Sequence, residues 1–143
     1  MPHEFLEDVA TADIAFRAWA PSREALFADA AEATMNVMVG DLATIEGKLE
    51  RTLTADAESP DLLLVNFLQE FIYYKDAQRL LLRPVSVRIS EEPGRLAVEA
   101  RCAGEELDMT KHELKVDVKA VTYHRLNVEQ TSRGWEAFVI LDI

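Results

Sequence analysis

The residues of this sequence best suited to chemistry are carboxylates near its two ends. Asp13 begins an alternating apolar run, and Asp142 precedes Ile143, the last residue, whose α-carboxylate adds another anion. Carboxylates that meet in partly dry surroundings need a cation or hydrogen-bond donors to compensate them. Oxygen atoms are the preferred ligands of calcium, magnesium and manganese. If the two terminal strands pair, Asp13, Asp142 and Ile143 are therefore predicted to form one divalent-cation site.

A different interpretation of the same carboxylates needs no metal. Asp13 then caps a turn, and Asp142 is a solvated acid near the end of the chain. Most isolated Asp side chains lie at protein surfaces, and the pattern alone favours this interpretation.

Four further residues are candidates for partner contact or for support of the site: His112, Lys119, Tyr123 and His124. A predicted strand from Lys115 to Val128 places His124 on its apolar face, where a hydrogen-bonded core histidine is the commoner role. The same alternation predicts Lys119 and Tyr123 on the opposite, solvated face. His112 falls in a predicted loop over 104–113, where surface solvation is favoured.

The motifs of the common enzyme classes are absent from the sequence. Its five glycines are too scattered for a dinucleotide-binding or P-loop motif. The sequence contains no GxSxG, HExxH or CxxC, and its three histidines are not spaced as a zinc site. This evidence disfavours an enzyme.

The elements that must position these residues follow from periodicity. Residues 14–19 alternate as a strand, Ser22 is the predicted cap of a helix, and Ser59-Pro60-Asp61 starts a second, mostly apolar helix. Four strands are predicted after that helix. The order βαβα and then four strands predicts an α+β fold, a single domain over 1–143 in which two helices pack on a mixed or antiparallel β-sheet.

Composition limits the partners. The net charge of −11 disfavours autonomous binding of nucleic acid and suits a cation or a basic protein face, although it also serves solubility alone. The sequence lacks a run of apolar residues long enough for a membrane span and a basic leader, and it has one cysteine. These features predict a cytoplasmic protein without a membrane partner.

Three segments of the sequence resemble the archease family. They are Thr11-Ala12-Asp13 before an alternating strand, the pairs Gly104-Glu105 and His112-Glu113 leading into Val118 to His124, and the terminal Asp142-Ile143. The resemblance covers essentially the full length. The sequence departs from the family at Asp8-Val9-Ala10, where many members carry a histidine, and at 107–111, where a Pro-Glu-Arg-like run is commoner.

The resemblance implies an accessory, chaperone-like protein of the RtcB-type RNA ligase, which joins RNA ends in tRNA splicing and RNA repair with GTP and manganese. It implies that such a protein promotes guanylylation of the ligase and its multiple turnover without being an enzyme itself. It also implies a metal site at Asp13, Asp142 and Ile143, with calcium the expected ion in a structure and manganese or magnesium as alternatives.

Two other classes of function stay open at this point. One is a metal-dependent hydrolase or nucleotide-processing enzyme with Asp13 and Asp142 as ligands, although no general base or nucleophile is evident. The other is a structural adaptor that binds no metal. Turnover of GTP or RNA by the isolated protein favours the first, and metal-independent activation favours the second.

Overall fold

A computed structural model of the chain describes residues 3–6 and 13–143. Within these ranges the chain forms eight strands and two α-helices. The strands are β1 (His3–Leu6), β2 (Asp13–Ala20), β3 (Leu49–Ala57), β4 (Leu80–Glu92), β5 (Arg95–Glu106), β6 (Ala120–Val121), β7 (Asn127–Thr131) and β8 (Gly134–Asp142). The helices are α1 (Arg23–Met38) and α2 (Pro60–Gln78), and a short 3₁₀ helix spans Leu42–Thr44.

The strands divide into two antiparallel sheets. The larger sheet has the order β1-β2-β8-β6, with β7 also paired to β8, and the smaller has the order β3-β5-β4. Both helices contact strands of both sheets. The α+β class is confirmed. The strands form two sheets because helices that are apolar on most of their circumference need cover on two sides.

The helices begin where the sequence predicts. The Ser22 side chain accepts a hydrogen bond from the Ala25 N–H at 3.1 Å, and Pro60 is the first residue of α2. The expected stripe on α1 is buried in full: Leu26, Phe27, Ala30, Ala33, Val37 and Met38. No helix in the described part of the chain is long and apolar enough to cross a bilayer.

The strand pattern differs from the predicted order in three places. A strand that was not predicted, β1, pairs with β2. The predicted strand over 115–128 is wrong, because only β6 and the start of β7 are extended and a turn separates them. The predicted loop over 104–113 starts later, since β5 continues to Glu106. Apolar alternation also arises in an irregular segment that is buried on one side, which explains the error at 115–128.

A glycine fixes the turn that brings β8 back along β7. Gly134 has φ +104, and a Cβ at this position would lie 2.4 Å from the Ala20 carbonyl oxygen. A side chain is therefore excluded both by backbone conformation and by space. The close approach to Ala20 lets β8 run beside β2 over its whole length.

Candidate functional site

The two predicted acidic ligands face each other across neighbouring strands. Asp13 begins β2, Asp142 ends β8, and their Cα atoms are register partners in the antiparallel pair. Side chains directly opposite each other in such a pair lie on the same face, with Cβ atoms about 4.5–5.5 Å apart. The register thus brings the carboxylates together as the pairing hypothesis requires.

The acid pair lies on the face of the larger sheet that is turned away from the helices, here called the outer face. Phe16 and Ala18 of β2 belong to the main core, so Asp13, which is three and five residues from them, points the other way. A small buried cluster on the outer face follows the acid pair along the strands and contains Ala15, Phe138 and Ile140. Asp13 and Asp142 are both half-buried.

Ile143 follows directly from this pair. Its side chain packs against the main core, which anchors its main-chain oxygens one residue beyond Asp142. The Asp142 carbonyl accepts a hydrogen bond from the Lys119 N–H at 2.8 Å, and Ala120 is the register partner of Asp142 on the other side. Asp142 is therefore held between two strands.

The donor set at this position suits a hard cation. Among the described residues no group of three or more His, Cys, Asp or Glu side chains is gathered closely enough to hold a metal. A cation between Asp13 and Asp142 would need main-chain oxygens, such as those of Ile143, and water to complete its shell. Carboxylate, main-chain and water oxygens together are a shell typical of calcium, magnesium or manganese.

Side chains of helix α2 bind the segment from Asp117 to Val121, which lies beside Asp142. The Lys75 side chain is 8% exposed and its ammonium binds Asp117, as well as Asp76 at 2.9 Å. Burial opposes the charged ammonium, but the hydrogen bonds that the ammonium donates to Asp117 and Asp76 outweigh this effect and raise the pKa of Lys75. The Gln69 side-chain oxygen accepts the Val121 N–H at 2.6 Å. These contacts position β6 beside Asp142.

His112 is buried, so the expectation of a solvated loop histidine is wrong. Its Nε2 lies 2.9 Å from a Glu105 carboxylate oxygen, and its Nδ1 accepts a hydrogen bond from the Asp108 N–H at 2.9 Å. An accepting Nδ1 assigns the proton to Nε2, which then donates to Glu105. The histidine ties the loop after β5 back to the strand.

Glu105 is saturated with donors. Its carboxylate accepts the Glu46 N–H at 2.8 Å and pairs with the ammonium groups of Lys111 at 2.8 Å and Lys48 at 3.4 Å. The Glu46 N–H, followed by Lys111, holds the pKa of this carboxyl well below its usual range. The neighbouring Gly104 is needed because a Cβ there would lie 1.8 Å from the Leu81 carbonyl oxygen. The Gly104-Glu105 and His112 motif residues thus stabilise the loop.

The remaining candidates lie on the surface. Lys119 and Tyr123 are exposed, with Tyr123 at 65%. His124 is also exposed, so its predicted place on the buried face is wrong. The cause is a turn in which the Leu126 N–H bonds the Tyr123 carbonyl at 3.3 Å and Arg125 adopts φ +55, which interrupts the alternation.

Sequence reasoning missed Gln69, Lys75 and Arg125. Gln69 and Lys75 lie on an apolar helix. Their role comes only from the contacts that they make in the folded protein with Val121 and Asp117. No pattern in the sequence signals either residue. Thr11 and Ala12 of the quoted motif lie outside the described residues, and so do 8–10.

The comparisons with known proteins agree with one another. Residues 3–143 match the Archease protein family (MTH1598/TM1083). The protein archease of Methanosarcina barkeri is 37% identical over 144 residues, covering 99% of this chain and 95% of the relative. The protein archease of Pyrococcus furiosus is 34% identical over 134 residues, covering 93% and 94%.

Two solved structures are similar to this chain. The solution structure of Methanobacterium thermoautotrophicum protein 1598 has a TM-score of 0.84 and 31% identity, and the match covers 99% of this chain and 98% of the other. The crystal structure of a Thermotoga maritima protein described as an archease, possible chaperone, has a TM-score of 0.60 and 22% identity, covering 99% and 100%. The second likeness concerns the fold alone.

Proposed function

This chain belongs to the archease family, and we propose that it is a non-enzymatic accessory protein of an RtcB-type RNA ligase in the cytoplasm. In this role it promotes GTP-dependent guanylylation of the ligase and its multiple turnover in tRNA splicing or RNA repair. Family membership over residues 3–143 supports the accessory role. The single observation that carries the rest is the register pairing of Asp13 with Asp142.

Asp13, Asp142 and the main-chain oxygens of Ile143 are the proposed ligands of one divalent cation. When bound, such a cation supplies positive charge and open coordination positions that bind phosphate oxygens. The contrast with Glu105 supports the assignment. Glu105 has four donors, whereas no described residue forms a hydrogen bond or ion pair with the carboxylate of Asp13 or Asp142.

The residues of the chain itself present and orient the site. The Lys75 and Gln69 contacts hold β6 against Asp142, and the core packing of Ile143 fixes the last residue. The net charge of −11 favours encounter with a basic, RNA-binding protein and disfavours direct competition for its RNA. The chain is thereby suited to act on the ligase and not on the nucleic acid.

The testing experiment is multiple-turnover RNA ligation by a cognate RtcB-type ligase with GTP and manganese, with this protein at substoichiometric amounts. The expected result is a gain in guanylylated ligase and in product per ligase molecule. No gain with a ligase that is active alone would contradict the proposal. Turnover of GTP or RNA by this protein alone would instead favour the metal-dependent enzyme.

The matched variants are Asp13→Asn and Asp142→Asn, which keep side-chain size and remove one charge each. Both are expected to lose activation and calcium or manganese binding by calorimetry while keeping the wild-type circular dichroism spectrum. Glu92→Gln, an exposed acid at the end of β4, is the control that removes the same charge elsewhere. A variant extended beyond Ile143 is expected to bind the cation more weakly, and unchanged affinity would remove Ile143 from the ligand set.

A further inference from the structure

Three arginines of the outer face lie over aromatic rings. The guanidinium carbons of Arg17 and Arg125 are 5.8 and 4.9 Å from the centroid of the Phe138 ring. That of Arg133 is 4.5 Å from the ring of Trp19. The ring attracts the guanidinium above it by a cation–π interaction, which limits the freedom of the arginine side chain. The face therefore presents oriented cations on a strongly acidic protein.

Arg125 differs from the other two in its polar contacts. Arg17 pairs with Glu4 at 3.3 Å and Arg133 with Glu136 at 2.6 Å. No described residue forms a hydrogen bond or an ion pair with the guanidinium of Arg125, which is exposed. The Phe138 ring holds the Arg125 guanidinium in place, but no carboxylate of the described residues accepts a hydrogen bond from it.

The turn that carries Arg125 has an unfavourable backbone conformation and is exposed. Arg125 has φ +55, a conformation that costs a non-glycine residue about 1 kcal/mol or more. The two residues before it, Tyr123 and His124, are exposed, and Tyr123 is among the most exposed large apolar side chains of the described chain. Tyr and Arg are enriched at the energetic centres of protein interfaces.

Within the described residues, the outer face carries two uncompensated acids, Asp13 and Asp142, at one end and one uncompensated guanidinium, that of Arg125, farther along β8. Phe138, under Arg125, and Asp142 are four residues apart on β8, which corresponds to about 14 Å along the strand. A single ion cannot contact both groups across this distance, whereas the surface of one macromolecule can cover both. A net charge of −11 disfavours a nucleic acid as that macromolecule and leaves a protein.

We propose that the Tyr123–Arg125 turn is a docking element that receives an Asp or Glu side chain of a partner protein. Arg125 forms a two-point hydrogen bond with this carboxylate, and Tyr123 packs beside it. The same partner covers the Asp13–Asp142 end of the outer face. The inference rests on the proposed function for the partner in which it is tested, the RtcB-type ligase.

The test is the dissociation constant of the ligase for the wild-type protein and for Arg125→Gln, measured by biolayer interferometry. Loss of a buried two-point ion pair is expected to raise the dissociation constant at least about tenfold. Arg88→Gln is the matched control, because Arg88 is an exposed arginine on the outer side of the smaller sheet and already pairs with Glu99 at 2.8 Å. This control is expected to bind like wild type.

Two further variants separate docking from folding. Arg125→Gly removes the side chain at a φ that glycine adopts readily, so it is expected to fold at least as well as wild type and still to bind weakly. Arg125→Lys keeps the charge without the planar fork and is expected to recover only part of the affinity.

The outcomes distinguish the two proposals. If the wild-type protein binds the ligase and the dissociation constants of Arg125→Gln and Arg125→Gly lie within twofold of the wild-type value, the docking role alone is overturned. A wild-type protein that neither binds nor activates the ligase would overturn the proposed function and the docking role with it. Weak binding by both variants, with Arg88→Gln unchanged, supports the docking role.

Discussion

The outward surfaces of the two sheets use arginine in different ways. On the outward side of the three-stranded sheet three exposed arginines pair with carboxylates: Arg88 with Glu99, Arg95 with Asp56, and Arg101 with Glu50. On the five-stranded sheet the arginines lie over aromatic rings that belong to, or border, a buried apolar cluster. Two of these arginines, Arg17 and Arg133, also pair with Glu4 and Glu136. Arg125 differs from all the others, because no described residue accepts a hydrogen bond from its guanidinium, which therefore keeps its donors for another molecule.

The acids show the same contrast. Glu105 is buried and surrounded by donors, so its charge is used to hold a loop. Asp13 and Asp142 meet on an accessible face without such donors from the described chain. Satisfied charges stabilise structure, and unsatisfied charges that the fold brings together are candidates for binding. Substitutions at the two kinds of position should therefore differ in their effects.

The largest effect is expected from Phe138→Ala. Phe138 is 9% exposed although it lies on the outer face, and its removal leaves a cavity under two arginines. The free energy of unfolding should fall by about 3 kcal/mol, as for other buried aromatic residues. Thr54→Ala, on the outer side of the smaller sheet, is the control and should change it by less than about 0.5 kcal/mol. Urea unfolding curves measure the effect of each variant. Equal losses for Phe138→Ala and Thr54→Ala would contradict the difference between the two outward faces.

The next effect is expected from Glu105→Gln. The change keeps the shape of the side chain but removes the charge that His112 and Lys111 pair with. We expect a loss of about 2 kcal/mol in the free energy of unfolding at pH 7. Because the folded pKa of Glu105 is lowered, the wild type should lose this advantage as the pH falls below the ordinary carboxyl range, and the curves of the two proteins should converge. Parallel curves between pH 3 and pH 7 would contradict this role.

Asp29→Asn tests a charge that lies between the sheets and not on either face. Asp29 on α1 is fully buried, and neither carboxylate oxygen has a hydrogen-bond partner among residues 3–6 and 13–143. Burial raises its pKa from 3.8 to about 6, so wild-type stability should fall as the pH rises through this interval and stay lower above it. Above pH 6 the variant should be more stable by about 2 kcal/mol. Thermal melts at pH 4.5 and pH 7.5 measure the difference, and a variant less stable at pH 7.5 would show that the charge is compensated.

The smallest effect is expected from Arg88→Gln. The Arg88 side chain is 81% exposed and its pair with Glu99 is in contact with solvent. The free energy of unfolding should change by less than about 0.5 kcal/mol, because exposed ion pairs contribute little. A loss above 1 kcal/mol in the same urea assay would show that the smaller sheet depends on its surface pairs.

Much of the fold was predictable because its signals are local. The Ser22 cap, the buried stripe of α1 and the Pro60 start of α2 depend on residues within one or two helical turns. The strand over 115–128 was wrongly predicted because its alternation comes from contacts with α1 and α2 and not from sheet pairing. When two strands that are distant in sequence pair, neither strand carries a hydrophobic pattern that identifies its partner.

The candidate site divides in the same way. Asp13 and Asp142 were predicted from residue type and position, and the register that makes them neighbours agrees with that hypothesis. The burial of His112 was missed because it depends on Glu105, whose carboxylate is turned inward by Glu46 and Lys111. The exposure of His124 was missed because a positive φ at Arg125 does not follow from the sequence around it.

By itself the sequence determined the two helices, the Ser22 cap, the Pro60 start, the α+β class, the family and the acids near the two ends of the sequence, because each follows from composition, periodicity or a linear motif. Only the tertiary structure decided that the helices lie between two sheets, that Asp13 faces Asp142, and that Arg125 stacks on Phe138. These features depend on strand register, which the whole core fixes at once: a shift of one residue would move every outer-face side chain to the opposite face.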